Sequence, residues 1–313
     1  CSKNINPTNF KKIFFNINKI KLTIKGKGTQ SIINSGFGYK PNKIVYNNAE
    51  STFSGSQLYL NSEINIVILK FSSPISTCNS MFKDCSKITE IDLTNFDSSN
   101  VGNMDLMFYG CTSLNTIKFG NFKTSKMNLM LYVFEECESL INVDLSKFDT
   151  SSVTDFHYMF AGCKSLEYID LSKFKTSSCI CTYYMFSDCI SLISVNFTGF
   201  DTSKVTLMHY MFYNCKNLIY LDLSSFDLTS VTHTEYMFYG AEKLEYVNFI
   251  KARISSGYIQ EYSNMITKTA KNIIFCVDDS KTPLLKSLMS NNPESFTISY
   301  CSKICLYKKK FCC

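Results

Sequence analysis

The chain has 313 residues, of which 45% are hydrophobic, and it contains 26 phenylalanines, 15 cysteines and no tryptophan. Its net charge is +6, but residues 71–250 carry 12 lysines against 20 acidic residues, whereas both ends of the chain are basic. An acidic middle argues against an extended nucleic-acid surface, which needs positive charge, and no apolar run is long enough to predict a membrane-spanning helix.

Residues 1–62 are predicted to form a small β-rich cap. Short runs rich in β-branched and aromatic residues occur at 19–26, 43–48 and 56–61, and Gly, Asn and Ser separate them. This pattern is typical of strands joined by turns. A cap is expected at this end because the first unit of a stacked array would otherwise expose its core.

The next run, NIVILKF, is predicted to be the first strand of a repeat array. Ile66 and Ile68 lie 25 residues before Ile91 and Leu93, which belong to the first clear repeat. The array is predicted to extend over residues 63–253.

Within that range the chain repeats itself every 26 residues. A Met-Phe pair, replaced once by Val133-Phe134, recurs seven times without an insertion, and a cysteine and a leucine recur at the same step. A fixed period of this length predicts a solenoid, in which each unit buries its apolar face on the next. The repeated phenylalanines and cysteines are predicted to form ladders in the core: Phe108, Phe134, Phe160, Phe186, Phe212, Phe238, Cys111, Cys137, Cys163, Cys189 and Cys215.

Within one unit the spacing of the apolar residues changes from that of a helix to that of a strand. From Val153 to Cys163 the apolar residues fall at steps of three, four and three, which predicts a short helix with Ser151 at its start. The alternation Ile169-x-Leu171 then predicts a strand. A strand followed by a helical return is the leucine-rich-repeat pattern, so the predicted fold is an α/β solenoid with a parallel sheet on one wall and short helices on the other.

Residues 254–313 are predicted to form a degenerate repeat and a Cys-rich cap. The segment 272–276 is predicted to be the last strand of the array, 282–289 a helix, and 295–301 a closing strand. Five cysteines crowd into this part of the chain, which indicates a disulfide-tied cap or the start of a Cys-rich stalk, and hence an oxidising compartment. They are Cys276, Cys301, Cys305, Cys312 and Cys313.

The cysteines of the array are predicted to be free. Neighbouring units place them about 5 Å apart or somewhat more, a spacing that does not exclude bridges, but their common inward direction suits small buried apolar residues better. Cys179 takes the place that Val153 has in its unit, so it also belongs to the core. Cys181 completes a C-x-C pair, but no second pair accompanies it, and we predict no metal site. Cys1 is either the lipid-bearing first residue of a mature bacterial lipoprotein or a fragment boundary.

The predicted sheet wall is the candidate binding surface. Residues that flank the inward positions of each strand form outward columns of Asp and Tyr, and Tyr offers a large contact area at low entropic cost. The alternative is a solvated face whose residues persist because the repeat was copied. The candidate partner-binding residues are Asp92, Asp144, Asp170, Asp222, Tyr168, Tyr220 and Tyr246.

No catalytic constellation is found. The outward columns contain no His and no Arg, and identical units give every Asp the same environment, whereas an acid–base pair needs two different ones. His157 and His209 share one position two units apart, with His233 near it, and are expected to be surface residues. We predict no enzyme activity and no cofactor.

The repeat FDTSSVTDFHYMFAGCKSLEYIDLSKFKTS resembles that of the BspA-like leucine-rich-repeat surface proteins. The elements F-D-T-S-x-V, M-F-x-x-C and L-x-x-I-D-L-S-x-F recur across residues 71–250. The chain departs from the pattern by replacing its usual Met, Asp and last Cys at a few positions: Phe156, Thr182, Thr234, Lys123, Lys175 and Ala241. The resemblance implies a protein on microbial cell surfaces that takes part in adhesion to host or matrix proteins and to other cells.

The expected function is therefore non-enzymatic adhesion or recognition by a cell-surface or secreted protein, whose partner is a protein or glycan on host, matrix or neighbouring cells and not a nucleic acid. A lipid or stalk anchor at or beyond the ends of the chain is compatible with the absence of a predicted transmembrane segment. The alternative is an intracellular leucine-rich-repeat scaffold or inhibitor with free thiols. A polysaccharide-cleaving enzyme is a third, weaker hypothesis.

Overall fold

The computed structural model describes residues 18–250, 252–253, 264–271, 273–277 and 296–300. This part of the chain forms a β-solenoid of about seven turns with parallel strands. We use the word lap for one 26-residue repeat of the solenoid. The strands of the laps are β7 (Ile88–Asp92), β8 (Thr116–Lys118), β9 (Tyr168–Asp170), β10 (Ser194–Asn196), β11 (Tyr220–Asp222) and β12 (Tyr246–Asn248).

The amino-terminal region supplies an antiparallel cap, and its predicted strands are confirmed. The cap strands are β1 (Asn18–Lys25), β2 (Gly28–Ser31), β3 (Lys43–Tyr46), β4 (Ala49–Thr52), β5 (Gln57–Leu60) and β6 (Ile64–Phe71). The main sheet has the order β4-β3-β6-β1-β7-β8, so β1 lies between β6 and β7 and pairs antiparallel with both. A separate two-stranded sheet pairs β2 with β5.

The prediction that NIVILKF begins the parallel array is wrong. The segment is a strand, β6, but β1 separates it from β7, and β6 belongs to the antiparallel cap sheet. The predicted phase is wrong as well, because Val67 and Leu69 face the core whereas Ile66 is 51% exposed. The alternating apolar residues of β1 explain this arrangement, since Ile20, Leu22 and Ile24 are fully buried against the sheet's core.

The laps stack in the register that the sequence period predicts. Tyr168 pairs with Ser194 in the neighbouring lap, and Tyr220 pairs with Tyr246. Between laps the phenylalanine rings stack nearly parallel, with centroids 5.3 to 6.0 Å apart from Phe82 to Phe238. Such offset stacks add to the stabilisation that burial of the rings provides.

The short helices expected opposite the sheet are not found: the described residues contain no α-helix. Successive turns occupy this region, in which the N–H of Met159 donates to the carbonyl of Phe156 at 3.2 Å and the N–H of Cys163 to that of Phe160 at 3.1 Å. Tyr158 and Gly162 have φ angles of 55° and 70°. Left-handed residues at this spacing interrupt a right-handed helix, so the apolar steps of three and four come from consecutive turns.

These turns form a second ladder between laps. The N–H groups of Phe156, Tyr158 and Phe160 donate to the carbonyl groups found 25 residues later, at 2.9 to 3.2 Å. The N–H groups between them bond within the lap, so backbone donors are satisfied alternately inside and between laps. An α-helix would keep all of them inside one lap. We call this surface, residues 155–162 and their equivalents in the other laps, the turn wall.

At the carboxyl end, both predicted strands are confirmed. Strand β13 (Ile273–Val277) runs parallel to β12, and β14 (Phe296–Tyr300) runs parallel to β13. The register differs from the prediction, because Val247 pairs with Phe275 and not with Ile273; the last lap is two residues longer than the others. The predicted helix at 282–289 and the cysteines beyond residue 300 lie outside the described residues. Among the described residues, none forms a helix that could cross a bilayer.

Candidate functional site

The sheet wall exposes large side chains at its centre. Tyr168 on β9 is 47% exposed, and Ile141 and Ile193 in the adjacent column are 49% and 44% exposed. Farther along, Tyr220 and Tyr246 stack with their ring centroids 5.4 Å apart. All three predicted tyrosines therefore lie on one face of the ladder. The exposed isoleucines, which were not among the predicted binding residues, extend the apolar surface beside them.

The four predicted aspartates lie on the same wall but also act as turn caps. One carboxylate oxygen of Asp144 accepts the N–H of Ser146 at 2.9 Å, and Asp170 accepts that of Ser172 at 2.8 Å. Asp92 and Asp222 accept the equivalent N–H groups at 2.9 and 3.0 Å. These contacts are Asx turns, and the hydrogen bonds from Ser146 lower the pKa of the Asp144 carboxyl. The repetition of Asp along this column thus has a structural cause.

The side chains on the wall also bond from lap to lap. The amide of Asn196 donates to Asp170 at 3.0 Å, and the amide of Asn248 donates to Asp222 at 3.1 Å. At the amino-terminal end Lys118 pairs with Glu90 at 2.5 Å. These contacts hold the surface in a fixed arrangement, which reduces the conformational entropy that the surface loses when a partner binds.

A depression interrupts the wall where residues 142–144 form no ladder with β8. Its volume is about 260 Å³, and it is lined by residues that include Lys118, Phe119, Asp144 and Lys147. Pockets for small ligands are commonly larger, at roughly 300–1,000 Å³. The depression therefore favours a role within a broader contact surface over a small-molecule site.

The predicted core ladders are buried. Every phenylalanine and cysteine of the two columns is fully buried, and the thiols of these cysteines are free. Each cysteine from Cys111 to Cys215 donates its S–H to the carbonyl of a phenylalanine in the preceding lap, at 3.0 to 3.2 Å. Burial raises the pKa of these thiols well above the ordinary value. They stay protonated and unreactive, which fits a packing role.

A buried threonine column was not recognised from the sequence. The hydroxyl of Thr202 donates to the carbonyl of Asp227 at 2.9 Å and accepts the N–H of the same residue at 2.7 Å. Thr150 makes the same pair of bonds with Lys175 in the next lap. The sequence contained a signal for this column, because Thr recurs in the F-D-T-S element. Its polar neighbours suggest a solvent-exposed loop, so the threonines were not predicted to be buried.

The turn wall carries two aromatic columns. Tyrosine rings stack along it with centroids 4.4 to 5.1 Å apart, from Tyr132 through Tyr158, Tyr184 and Tyr210 to Tyr236. Beside them His157, Tyr183 and His209 form a second stack at 4.9 and 4.8 Å. Burial lowers the pKa of His209. His157 and His209, which we predicted to be surface residues, are partly buried members of this stack. His233 is also partly buried, but it meets His209 edge-on at 5.9 Å and does not extend the stack.

One group of possible metal ligands occurs in the part of the chain that the structure describes. Asp155, His157 and Cys181 offer a carboxylate, an imidazole and a thiol whose ligand atoms lie within 4.8 Å of one another. Asp155 and His157 belong to one lap and Cys181 to the next. The C-x-C spacing pairs Cys181 with Cys179 in the sequence, but the Cys179 thiol is buried and contacts the carbonyl of Cys181 at 3.5 Å.

A comparison with protein-family models matches residues 76–193 and 167–272 to the family described as "Mycoplasma protein of unknown function, DUF285". Together the two matches span more than half of the chain. The chain belongs to the DUF285 family. The DUF285 matches begin after β6 and end just before β13, so they cover the parallel laps and leave out the strands of the cap. A search of curated proteins finds no match.

Proposed function

We propose that this protein is a BspA-like leucine-rich-repeat surface protein that acts by recognition and not by catalysis. In this proposal it is displayed on the cell surface or secreted, and it binds a protein or glycan on host, matrix or neighbouring cells through the sheet wall. The repeated elements F-D-T-S-x-V, M-F-x-x-C and L-x-x-I-D-L-S-x-F support the assignment to that group of proteins.

The observation that carries the proposal is the exposed apolar surface on an ordered ladder. Tyr168, Ile141 and Ile193 are each about half exposed, although their backbone is ordered. Strand β9 pairs in parallel with β10 beneath Tyr168, and backbone hydrogen bonds connect Glu167 with Ile141 and Ile193 at 3.3 and 2.9 Å. Tyrosine is enriched at the centres of protein interfaces, and clustered exposed apolar side chains mark interaction sites. A rigid face of this kind favours binding because the protein loses little conformational entropy on association.

Recognition is also favoured over hydrolysis or lyase chemistry. Asp144, Asp170 and Asp222 each commit one carboxylate oxygen to a turn cap in the same way. Catalysis by two carboxyl groups requires environments that separate their pKa values. All three carboxyl groups share the same commitment to a turn, which disfavours the differentiated acid–base pair that such chemistry needs.

The cellular location can be tested through the cysteines. Cys276 is disulfide-bonded in the structure, which favours the surface hypothesis over the intracellular one because disulfides persist in oxidising compartments. Buried free thiols in the laps are compatible with both hypotheses. Thiol counting on protein from its native source should find Cys276 and its neighbours towards the carboxyl end oxidised. Fifteen free thiols in that material would overturn the surface hypothesis and favour an intracellular scaffold.

The binding face can be tested with a triple variant, in which Tyr168, Tyr220 and Tyr246 are replaced by alanine. The wild type and the variant are compared on immobilised matrix proteins and glycans and on intact host cells. Tyr59→Ala is the matched control, because Tyr59 is 70% exposed on the cap strand β5. We expect the triple variant to bind at least tenfold more weakly and the control to bind as the wild type does. Equal binding by all three proteins would exclude the sheet wall as the contact surface.

A further inference from the structure

Two positions of the turn wall, those of Asp155 and His157, do not keep one residue type from lap to lap. At the first of them, isolated parallel bridges connect Leu129, Asp155, Cys181, Leu207 and His233 in successive laps. Leucine occupies this position twice and suits the apolar side of the lap. The polar replacements Asp155 and Cys181 stand on adjacent rungs of the ladder, so two departures from the repeat meet at one place.

A third departure completes the group. His157 lies two residues after Asp155, and its Nδ1 atom is 2.9 Å from both carboxylate oxygens of Asp155. The side chains of Asp155 and His157 are 21% and 12% exposed, and Cys181 is 5% exposed. The three side chains thus form a compact cluster that remains open to solvent through the carboxylate.

Aromatic neighbours fix the imidazole in this position. The ring of Tyr183 stacks on His157 with a centroid separation of 4.9 Å, and Tyr132 meets the same ring edge-on at 4.8 Å. Asp105 and Glu135 lie close enough to interact electrostatically with His157. The surroundings of the cluster are therefore rigid and carry acidic groups, which favours a bound cation.

We propose that Asp155, His157 and Cys181 form a binding site for a divalent transition-metal ion, with Zn²⁺ as the best fit. Zinc takes a thiolate, an imidazole nitrogen and a carboxylate oxygen in tetrahedral sites, whereas Mg²⁺ and Ca²⁺ prefer oxygen ligands alone. Three protein ligands leave the fourth position to water. On binding, the Cys181 S–H bond is broken, its proton passes to solvent and the sulfur binds the metal, so the affinity rises with pH.

The separation of the ligand atoms is compatible with this step. Metal–ligand bonds of about 2.0–2.3 Å place the ligands of a tetrahedral zinc roughly 3–4 Å apart. The three atoms already lie within 4.8 Å of one another, so side-chain rotation supplies the remaining approach and the backbone ladder stays in place.

The repeat itself provides matched variants for the test. Cys181→Leu and Asp155→Leu restore the residue that Leu129 and Leu207 supply at the same position, and His157→Tyr copies the residue at Tyr183. Cys179→Val is the control, because valine holds that column in other laps. The full-length chain, freed of metal and with the disulfide at Cys276 intact, is titrated with Co²⁺, whose bond to a thiolate gives a charge-transfer absorption band; Zn²⁺ is then added to displace the cobalt.

We expect one thiolate-bound cobalt per chain, displaced by zinc. The band should vanish in Cys181→Leu and persist in Cys179→Val, and Asp155→Leu and His157→Tyr should each weaken binding at least tenfold. Absence of the band in the wild type would overturn the proposal. So would a band that survives in Cys181→Leu, which would place the metal on other cysteines. Circular dichroism of the metal-free variants checks that each one is folded, and equal loss in Cys179→Val would assign the effect to packing and overturn the proposal.

Discussion

Replacement of Phe160 by alanine tests the central packing element of the solenoid. The ring is fully buried between Phe134 at 5.3 Å and Phe186 at 5.4 Å, nearly parallel to both. Phenylalanine-to-alanine changes in protein cores cost about 3–5 kcal/mol. We expect about 4 kcal/mol, because the hydrogen bond from the Phe160 N–H to the carbonyl of Met185, at 2.9 Å, holds the neighbouring laps apart at the ladder spacing and limits collapse of the cavity.

The free energy of unfolding is measured by urea denaturation followed by circular dichroism, and the slope with denaturant is compared between variants. Tyr168→Ala is the control within the same lap, since Tyr168 is 47% exposed, and exposed positions usually change stability by about 0.5 kcal/mol or less. Amide hydrogen exchange adds a spatial test. Because each lap contacts only its neighbours, protection should fall most in the laps that contain Phe134, Phe160 and Phe186.

A loss below about 1 kcal/mol for Phe160→Ala would refute the placement of this ring in the core, since a fully buried ring cannot be removed from a close-packed core at so small a cost. Equal losses for Phe160→Ala and Tyr168→Ala would also contradict it, because one side chain lies in the core and the other on the sheet wall.

Three further predictions follow from the contacts between laps. Thr202→Val keeps the side-chain shape but leaves the buried N–H and C=O of Asp227 without their partner, so it should cost about 2–4 kcal/mol in the same denaturation assay; a neutral effect would contradict the role of the column. Burial raises the pKa of Glu135 from its ordinary value of 4.5 to about 7, so the folded state binds this proton more tightly than the unfolded state and loses stability as pH rises between those values. Glu135→Gln should therefore raise Tm at pH 8 and leave it unchanged at pH 4, and an equal shift at both would refute the assignment. Alkylation of the native protein should spare the ladder thiols, which should all react in denaturant: Cys111, Cys137, Cys163, Cys189 and Cys215.

The parallel stacking and the buried ladders were predictable because a fixed period forces equivalent residues into equivalent surroundings. Phe160 and Cys163 recur every 26 residues, and a column that is apolar in every lap can be satisfied only if it faces the core. The same reasoning placed Tyr168 and Asp170 on the outward side of the strand that contains Ile169, since successive side chains of a strand point to opposite faces.

The expected helix was wrong because its apolar spacing is ambiguous. Steps of three and four residues suit a helix, but they also suit consecutive turns, each closed by a bond between residues three apart. A second signal would have distinguished the two. The position of Gly162 holds only Gly, Asn, Asp or Glu in the seven laps, and all of these residues have positive φ. Gly, Asn and Asp are the residues that adopt the left-handed region most readily, and one such position in every lap is incompatible with a continuous helix.

The place of β6 could not be read from the period. Its apolar residues alternate, as those of any half-buried strand do, and the sequence separation from Ile91 happens to be close to one repeat. The pairing is decided by β1, whose buried residues Ile20, Leu22 and Ile24 form a third strand between the two. Contacts between segments so far apart leave no local pattern, which is why the boundary between cap and array needed the structure.

Some positions keep one residue type in every lap and others vary, and both proposed sites lie at positions that vary. Positions whose side chains stack on both neighbouring laps, such as Phe160, are held to one residue type because a change there disturbs three laps at once. Tyr168 and Cys181 stand at positions without a continuous side-chain stack, and the residues at these two positions vary from lap to lap. Divergence on a fixed scaffold is how repeat proteins acquire binding specificity without loss of the fold. The two sites lie on different walls, the sheet wall and the turn wall, so failure of the tyrosine variants to reduce partner binding would leave the zinc titration unaffected, and the reverse also holds.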